Sequence, residues 1–168
     1  MSKPELTAWH AHEESKGSVI CLFCGGASCK REDWRRQTEP CAIRGLHSSW
    51  VTEDVLAMQR PSSRLLHEYG ILEQFQAHGV GAIINLQEPG EHALCGDGNQ
   101  EGGFSYRPEE FMDAGIFFYN FGWLDMSVPT LDMMMRIVQV MSFTIGEKRK
   151  KVLFVLSLGP PPLSPLFN

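Results

Sequence analysis

From about Trp50 onward, apolar positions fall into short blocks whose period alternates between that of a strand and that of a helix. Trp50-Val51-Thr52 and then Val55-Leu56-Ala57-Met58 are strand-forming segments that stop at Pro61. Ser62 or Ser63 offers an N-cap directly after that proline. Leu65, Leu66, Tyr69, Leu72 and Phe75 recur at three- and four-residue steps, which gives one apolar helical face. Gly70 interrupts the face, so the spacing predicts two short helices or a bend, closed by Gly79. Val80 to Leu86, VGAIINL, is a continuous apolar run, the mark of a strand covered on both faces.

A long polar loop follows, from Gln87 to Gly103, with glycines at 90, 96, 98, 102 and 103. Pro108 to Ala114 reads as a short helix, with proline in its first turn and Gly115 at its end. Ile116 to Phe121, IFFYNF, predicts a second buried strand, and Trp123 to Pro129 a loop. Thr130 to Ile145 predicts a methionine-rich helix with Leu131, Met134, Met135, Val138 and Met141 on one side, facing the core. Val152 to Leu156 is the last predicted strand. The alternation of strand and helix is that of an α/β domain with a largely parallel sheet, whose ligands bind beyond the carboxyl ends of the strands.

Composition narrows the setting without choosing a function. At 168 residues the chain fits one domain plus an arm, and 43% hydrophobic with 21% charged residues is ordinary for a globular protein. A net charge of −5 and a pI near 5.7 give no reason to expect nucleic acid as a partner. No apolar stretch approaches the roughly 20 residues of a membrane-spanning helix, and the polar start MSKPELTAWHAHEESKG has no signal-peptide core. The expectation is a cytoplasmic protein with reduced cysteines and no membrane partner. Oligomeric state is not legible.

Residues 1–41 lack sustained periodicity and read as an irregular, cysteine-containing arm. Cys21, Cys24, Cys29 and Cys41 are spaced C-x2-C-x4-C-x11-C, with His10 and His12 upstream. The first pair fits a zinc knuckle, but structural zinc modules present two such pairs and the second is missing, so no metal site is assigned. Cys29 and Arg35 have the spacing C-x5-R of a phosphate-binding nucleophile loop. Lys30, Arg31, Glu32, Asp33 and Trp34 between them are too bulky, and in two cases acidic, for backbone amides to converge on a phosphate; the match reads as chance. Glu88, Glu91 and His92 in QEPGEH read as the edge of a loop near a substrate cleft rather than as an acid/base or metal cluster. Met133, Met134 and Met135 read as core packing rather than a ligand-binding stripe.

The segments GLHSSWVTEDVLAMQRPSS, INLQEPGEHALCG and AGIFFYNFGWLD, in this order and spacing, resemble the cysteine-dependent protein phosphatases, close to the dual-specificity enzymes. The resemblance spans roughly Cys21 to Glu147 and implies a central sheet flanked by helices. It implies no cofactor, a phosphoprotein as substrate, and an association with centrosome and cilium. It implies too a thiolate in an H-C-x5-R loop that attacks phosphorus, and an aspartic acid on a neighbouring loop that protonates the leaving oxygen. A thiolate is the nucleophile only where amides and a helix N-terminus lower its pKa, and an alkoxide leaves only with a placed acid. Asp125, in FGWLDMSVP, matches the position of that acid.

The departure comes at about Lys148. In the family the strand after the last helix leads into the nucleophile loop. Here Val152 to Ser157 leads into Leu158-Gly159-Pro160-Pro161-Pro162, there is no His-Cys pair in the 168 residues, and no arginine follows Arg149. Proline lacks the N–H that a phosphate nest needs. The expected organisation is therefore an arm (1–41), the N-terminal part of an incomplete phosphatase-like domain (42–157) and a divergent proline-rich tail (158–168) that reads as an alternative or frameshifted ending. Phosphoryl transfer by the family mechanism is expected to be absent, leaving a non-catalytic binding or decoy fragment, or a small zinc-binding adaptor, as the other readings.

Overall fold

The computed structural model describes residues 40–91, 96–124 and 127–156. Among these residues five strands form one sheet: β1 (Ser48–Trp50), β2 (Val55–Gln59), β3 (Val80–Asn85), β4 (Phe117–Asn120) and β5 (Lys151–Leu156). Their order is β1-β2-β5-β3-β4, with β1 antiparallel to β2 and all other pairings parallel. This is the α/β class with a largely parallel sheet that the alternation predicts.

Helices α1 (Ser63–Glu68) and α2 (Ile71–Ala77) replace one rod, as the glycine between them requires. Gly70 has φ +57°, a left-handed conformation that ends one helix and opens the next. Ser62 caps α1, its hydroxyl accepting from the Leu65 N–H at 3.4 Å. Helix α3 (Pro108–Asp113) begins on its proline, and the 12-residue α4 (Leu131–Ser142) runs into a π-helical turn at Phe143–Glu147. Among the described residues no helix is long and apolar enough to cross a membrane.

Period-two alternation divides the central strands between two layers. Ile83, Leu153 and Val155 face α1, α2 and α3, in a core that also holds Leu65, Phe75 and Phe111. Ile84, Val152 and Phe154 face the other way, toward α4. The first core is thick: Phe104 stacks on Tyr106, and Tyr106 meets Phe111 edge-on, with ring centroids 5.5 Å apart in each pair. The second is thin, with only Ile84, Ile137 and Val152 fully covered among the described residues.

Two sequence expectations are corrected here. Strand β4 is not covered on both faces: it lies at the sheet edge, and Phe117 is 55% exposed. The run IFFYNF carries the composition of a buried strand, but order in the sheet decides burial. Helix α4 turns the other way round from the predicted face. Ile137 is buried and Met133, Val140 and Met141 pack beside it, whereas Leu131, Met134, Met135 and Val138 are exposed. Met133 and Met141 do pack on the core as expected; Met134 and Met135 do not. The helix carries apolar residues nearly all round, so periodicity alone cannot choose the side that meets the sheet.

Candidate functional site

Because β3, β4 and β5 are parallel, their chains leave the sheet at one edge, and the loops there are tied together. The Leu86 N–H donates to Val155 O at 3.2 Å, and the Phe121 N–H donates to Asn85 O at 2.8 Å. Asn85 is fully buried, and its side-chain amide donates to Asn120 Oδ1 at 2.9 Å. The two asparagines are register partners at the ends of β3 and β4, so the bond clamps the two exits side by side. Gly122 comes so close to the β3 exit that a β-carbon there would lie 2.6 Å from Gln87 O. Only glycine fits without a shift.

Over this floor opens a cleft of about 640 Å³. Glu88 and Pro89 contribute one wall after β3, Asn120 to Gly122 the base after β4, and the first two turns of α4 the other wall. The α4 wall is ordered by its own sequence. Thr130 Oγ1 accepts from the Met133 N–H at 3.2 Å, and Arg136 Nε donates to Asp132 at 2.8 Å, one turn away. With Arg136 held by Asp132, Glu88 leaves the lining with a negative balance. Such a lining does not by itself gather a phosphate dianion.

Behind the cleft the long loop is pinned from two sides. The Glu88 N–H donates to a Glu91 carboxylate oxygen at 3.0 Å. Arg60, 6% exposed and just past β2, donates through Nη1 to Ser105 Oγ at 2.7 Å, and that hydroxyl donates to Pro61 O. Tyr106, next in the chain, is completely buried. Burial pushes its phenol far above the usual tyrosine range; Arg60 opposes this and Glu91 adds to it.

Of the residues singled out in the sequence, Glu88 and Met133 line the cleft, and Glu91 supports it through Glu88. Asp125 lies outside the described residues, as do His92, His10, His12, Cys21, Cys24, Cys29 and Arg35. Cys41 is half-buried. Among the described residues no three histidine, cysteine or acidic side chains group to hold a metal. The loop bearing Asp125 does have both its ends in the cleft, at Gly122 and Thr130. The sequence reading missed Asn85, Asn120, Thr130, the Asp132–Arg136 pair and Arg60. Arg60 had a signal: a cation abutting an apolar strand is buried only with partners.

No family model matches the chain. Protein tyrosine phosphatase domain-containing protein 1 of Mus musculus is 50% identical over 148 residues, 85% of this chain and 20% of that protein. The Bos taurus protein of the same name is 48% identical over 148 residues, 85% of this chain and 18% of that protein. The chain thus spans about a fifth of the length of the curated relatives it matches. The fold is shared with the solved structure of Tk-PTP in its active form, at a TM-score of 0.50 and 18% identity, covering 67% of this chain and 63% of that one. Sequence identity near one half over 85% of its length, with a phosphatase-like sheet and flanking helices to match, makes the chain a relative of protein tyrosine phosphatase domain-containing protein 1.

Proposed function

We propose that the chain retains the acid-loop side of a phosphatase site without its nucleophile, and acts as a non-catalytic binding or decoy fragment rather than as a phosphatase. The observation that carries this reading is where β5 leads. It lies between β2 and β3, with Leu156 paired to Gln59 and Val155 to Asn85, and so points the chain at the carboxyl edge where ligands bind. The next residues are Ser157-Leu158-Gly159-Pro160-Pro161-Pro162. They supply no thiolate to attack phosphorus and no guanidinium to hold its oxygens. Three of the six supply no amide hydrogen either.

Asp125 is read as the residual general acid: its loop is anchored at both ends in the cleft, and it matches the family position. In relatives that carry the full motif, the resemblance implies dephosphorylation of phosphotyrosine or phosphoserine/threonine proteins. A cytoplasmic location at the centrosome or cilium rests on the resemblance alone; microscopy of the tagged 168-residue chain tests it, and diffuse signal without centrosomal enrichment rejects it.

The direct test of activity is p-nitrophenyl phosphate with the purified chain and with Asp125→Asn. The expected result is no release of phosphate above the buffer blank for either protein. Turnover that disappears in Asp125→Asn overturns the proposal.

A further inference from the structure

Helix α4 presents a continuous apolar stripe to solvent. Leu131 is 78% exposed, Met134 40%, Met135 52% and Val138 47%, at the i, i+3, i+4, i+7 positions that share one helical face. Single exposed methionines need no explanation, but four in-line apolar residues opposite an already thin core do. We infer that this stripe is an intramolecular docking surface for the chain's own proline-rich segment, residues 157–168.

Three observations select this occupant. The first is position. Strand β5 is parallel to β3 and β4, so it exits at the same edge of the sheet at which α4 begins. The chain therefore leaves β5 at the sheet edge nearer the Leu131 end of the stripe than the Val138 end. The second is reach. In polyproline geometry twelve residues extend ~37 Å at about 3.1 Å each. Climbing from the sheet to the outer side of a covering helix takes about 15 Å. The stripe from Leu131 to Val138 runs roughly 10 Å at 1.5 Å per residue. The span is thus covered with residues to spare.

The third observation is chemistry. From Val152 to Asn168 no side chain carries a charge, and residues 158–167 include Leu158, Leu163, Leu166 and Phe167 among four prolines. Proline-rich segments dock on apolar grooves at low entropic cost because their extended form is already populated. Leucine and phenylalanine from the segment then cover methionine and valine on the helix. A methionine surface adapts to such an irregular partner.

The inference is tested on the full chain by replacing Phe167 with the photo-cross-linker p-benzoylphenylalanine. Irradiation followed by peptide mapping is expected to join the tail to the 131–138 region within one molecule. Mixing isotope-labelled and unlabelled chains distinguishes this from a link between copies. Cross-links between copies, to another region, or to nothing overturn it. Met135→Asp and Val138→Asp, both at exposed positions, are expected to cut the cross-link yield at least threefold while leaving the circular dichroism unchanged. An unaltered yield in those folded variants overturns it equally. Deleting residues 157–168 is expected to at least double the binding of an apolar dye, and an unchanged dye signal counts against docking.

Discussion

The buried Asn85 amide donates to the side-chain oxygen of Asn120 at 2.9 Å, joining the last residues of two parallel strands across the floor of the cleft. Asn85 has more to hold than Asn120. Its oxygen accepts from the Gln87 N–H and its nitrogen reaches Gln87 O, both at 3.4 Å. Asn85→Ala is therefore expected to cost about 1–3 kcal/mol, because buried backbone groups lose their partner. Asn120→Ala, at an exposed position, is expected to cost about 1 kcal/mol or less. Urea unfolding of both single variants and the double variant checks this. A coupling energy of at least ~0.5 kcal/mol is expected, and strict additivity would show that the pair does not act together.

Gly122→Ala brings a methyl group against Gln87 O and the Glu88 backbone. Neither neighbour is a flexible side-chain tip, so the loop itself has to move. The expected cost is about 1–3 kcal/mol. Because the displaced segment forms the base of the cleft, amide exchange at residues 86–88 and 120–123 should quicken. Exchange that stays at wild-type rates throughout would refute the close approach.

Tyr106→Phe is expected to stabilise the protein. The phenol oxygen is buried without a hydrogen-bond partner among the described residues, so removing it relieves a desolvation cost of ~1 kcal/mol. The same burial sets a pH dependence. Folding raises the phenol's pKa, so below about pH 10 both states keep the proton and nothing is lost. Above that, the unfolded chain ionises first and native stability falls as pH rises. Thermal melts from pH 7 to 11 should show a steeper alkaline decline in wild type than in Tyr106→Phe. A variant that melts lower at pH 7 would mean that the hydroxyl is satisfied.

Phe111→Ala removes a ring that stacks on Phe118 with centroids 6.1 Å apart and meets Tyr106 edge-on. The expected loss is about 3–5 kcal/mol, a large part of the roughly 5–15 kcal/mol that holds a domain of this size. Phe117→Ala, on the exposed edge strand six residues later, is expected to cost under ~1 kcal/mol. Calorimetry of the two variants side by side tests the division between covered and open faces of the sheet.

The elements whose signals are local were legible from the sequence. Ser62, Gly70 and Gly79 set the ends of the first two helices through capping and left-handed geometry, and they act within a few residues. The run from Val80 was legible as a strand because six successive residues are buried, leaving no polar alternation. What depends on distant partners was not legible. Nothing in IFFYNF says that β4 lies at an edge, where among the described residues β3 is its one neighbour. Nothing in LDMMMRIVQVM says which side meets the sheet, since both sides are apolar. The asparagine clamp needs the β3–β4 register, which pairing across 35 residues determines. The i, i+4 spacing of Asp132 and Arg136 does not say that the pair lines a cleft, which only the place of the helix decides.

The position of β5 also dictates how the fold can be assembled. Strand β2 pairs with β1 and β5, and β3 with β4 and β5, so among the described residues no ladder joins the first half-sheet to the second except through Lys151–Leu156. Until β5 is made, the edges of β2 and β3 that it pairs with have no strand between them. Each edge is a template for a stranger's strand until the keystone is made. Chaperone demand should accordingly fall only once residue 156 has left the ribosome, whatever the residues after it go on to do.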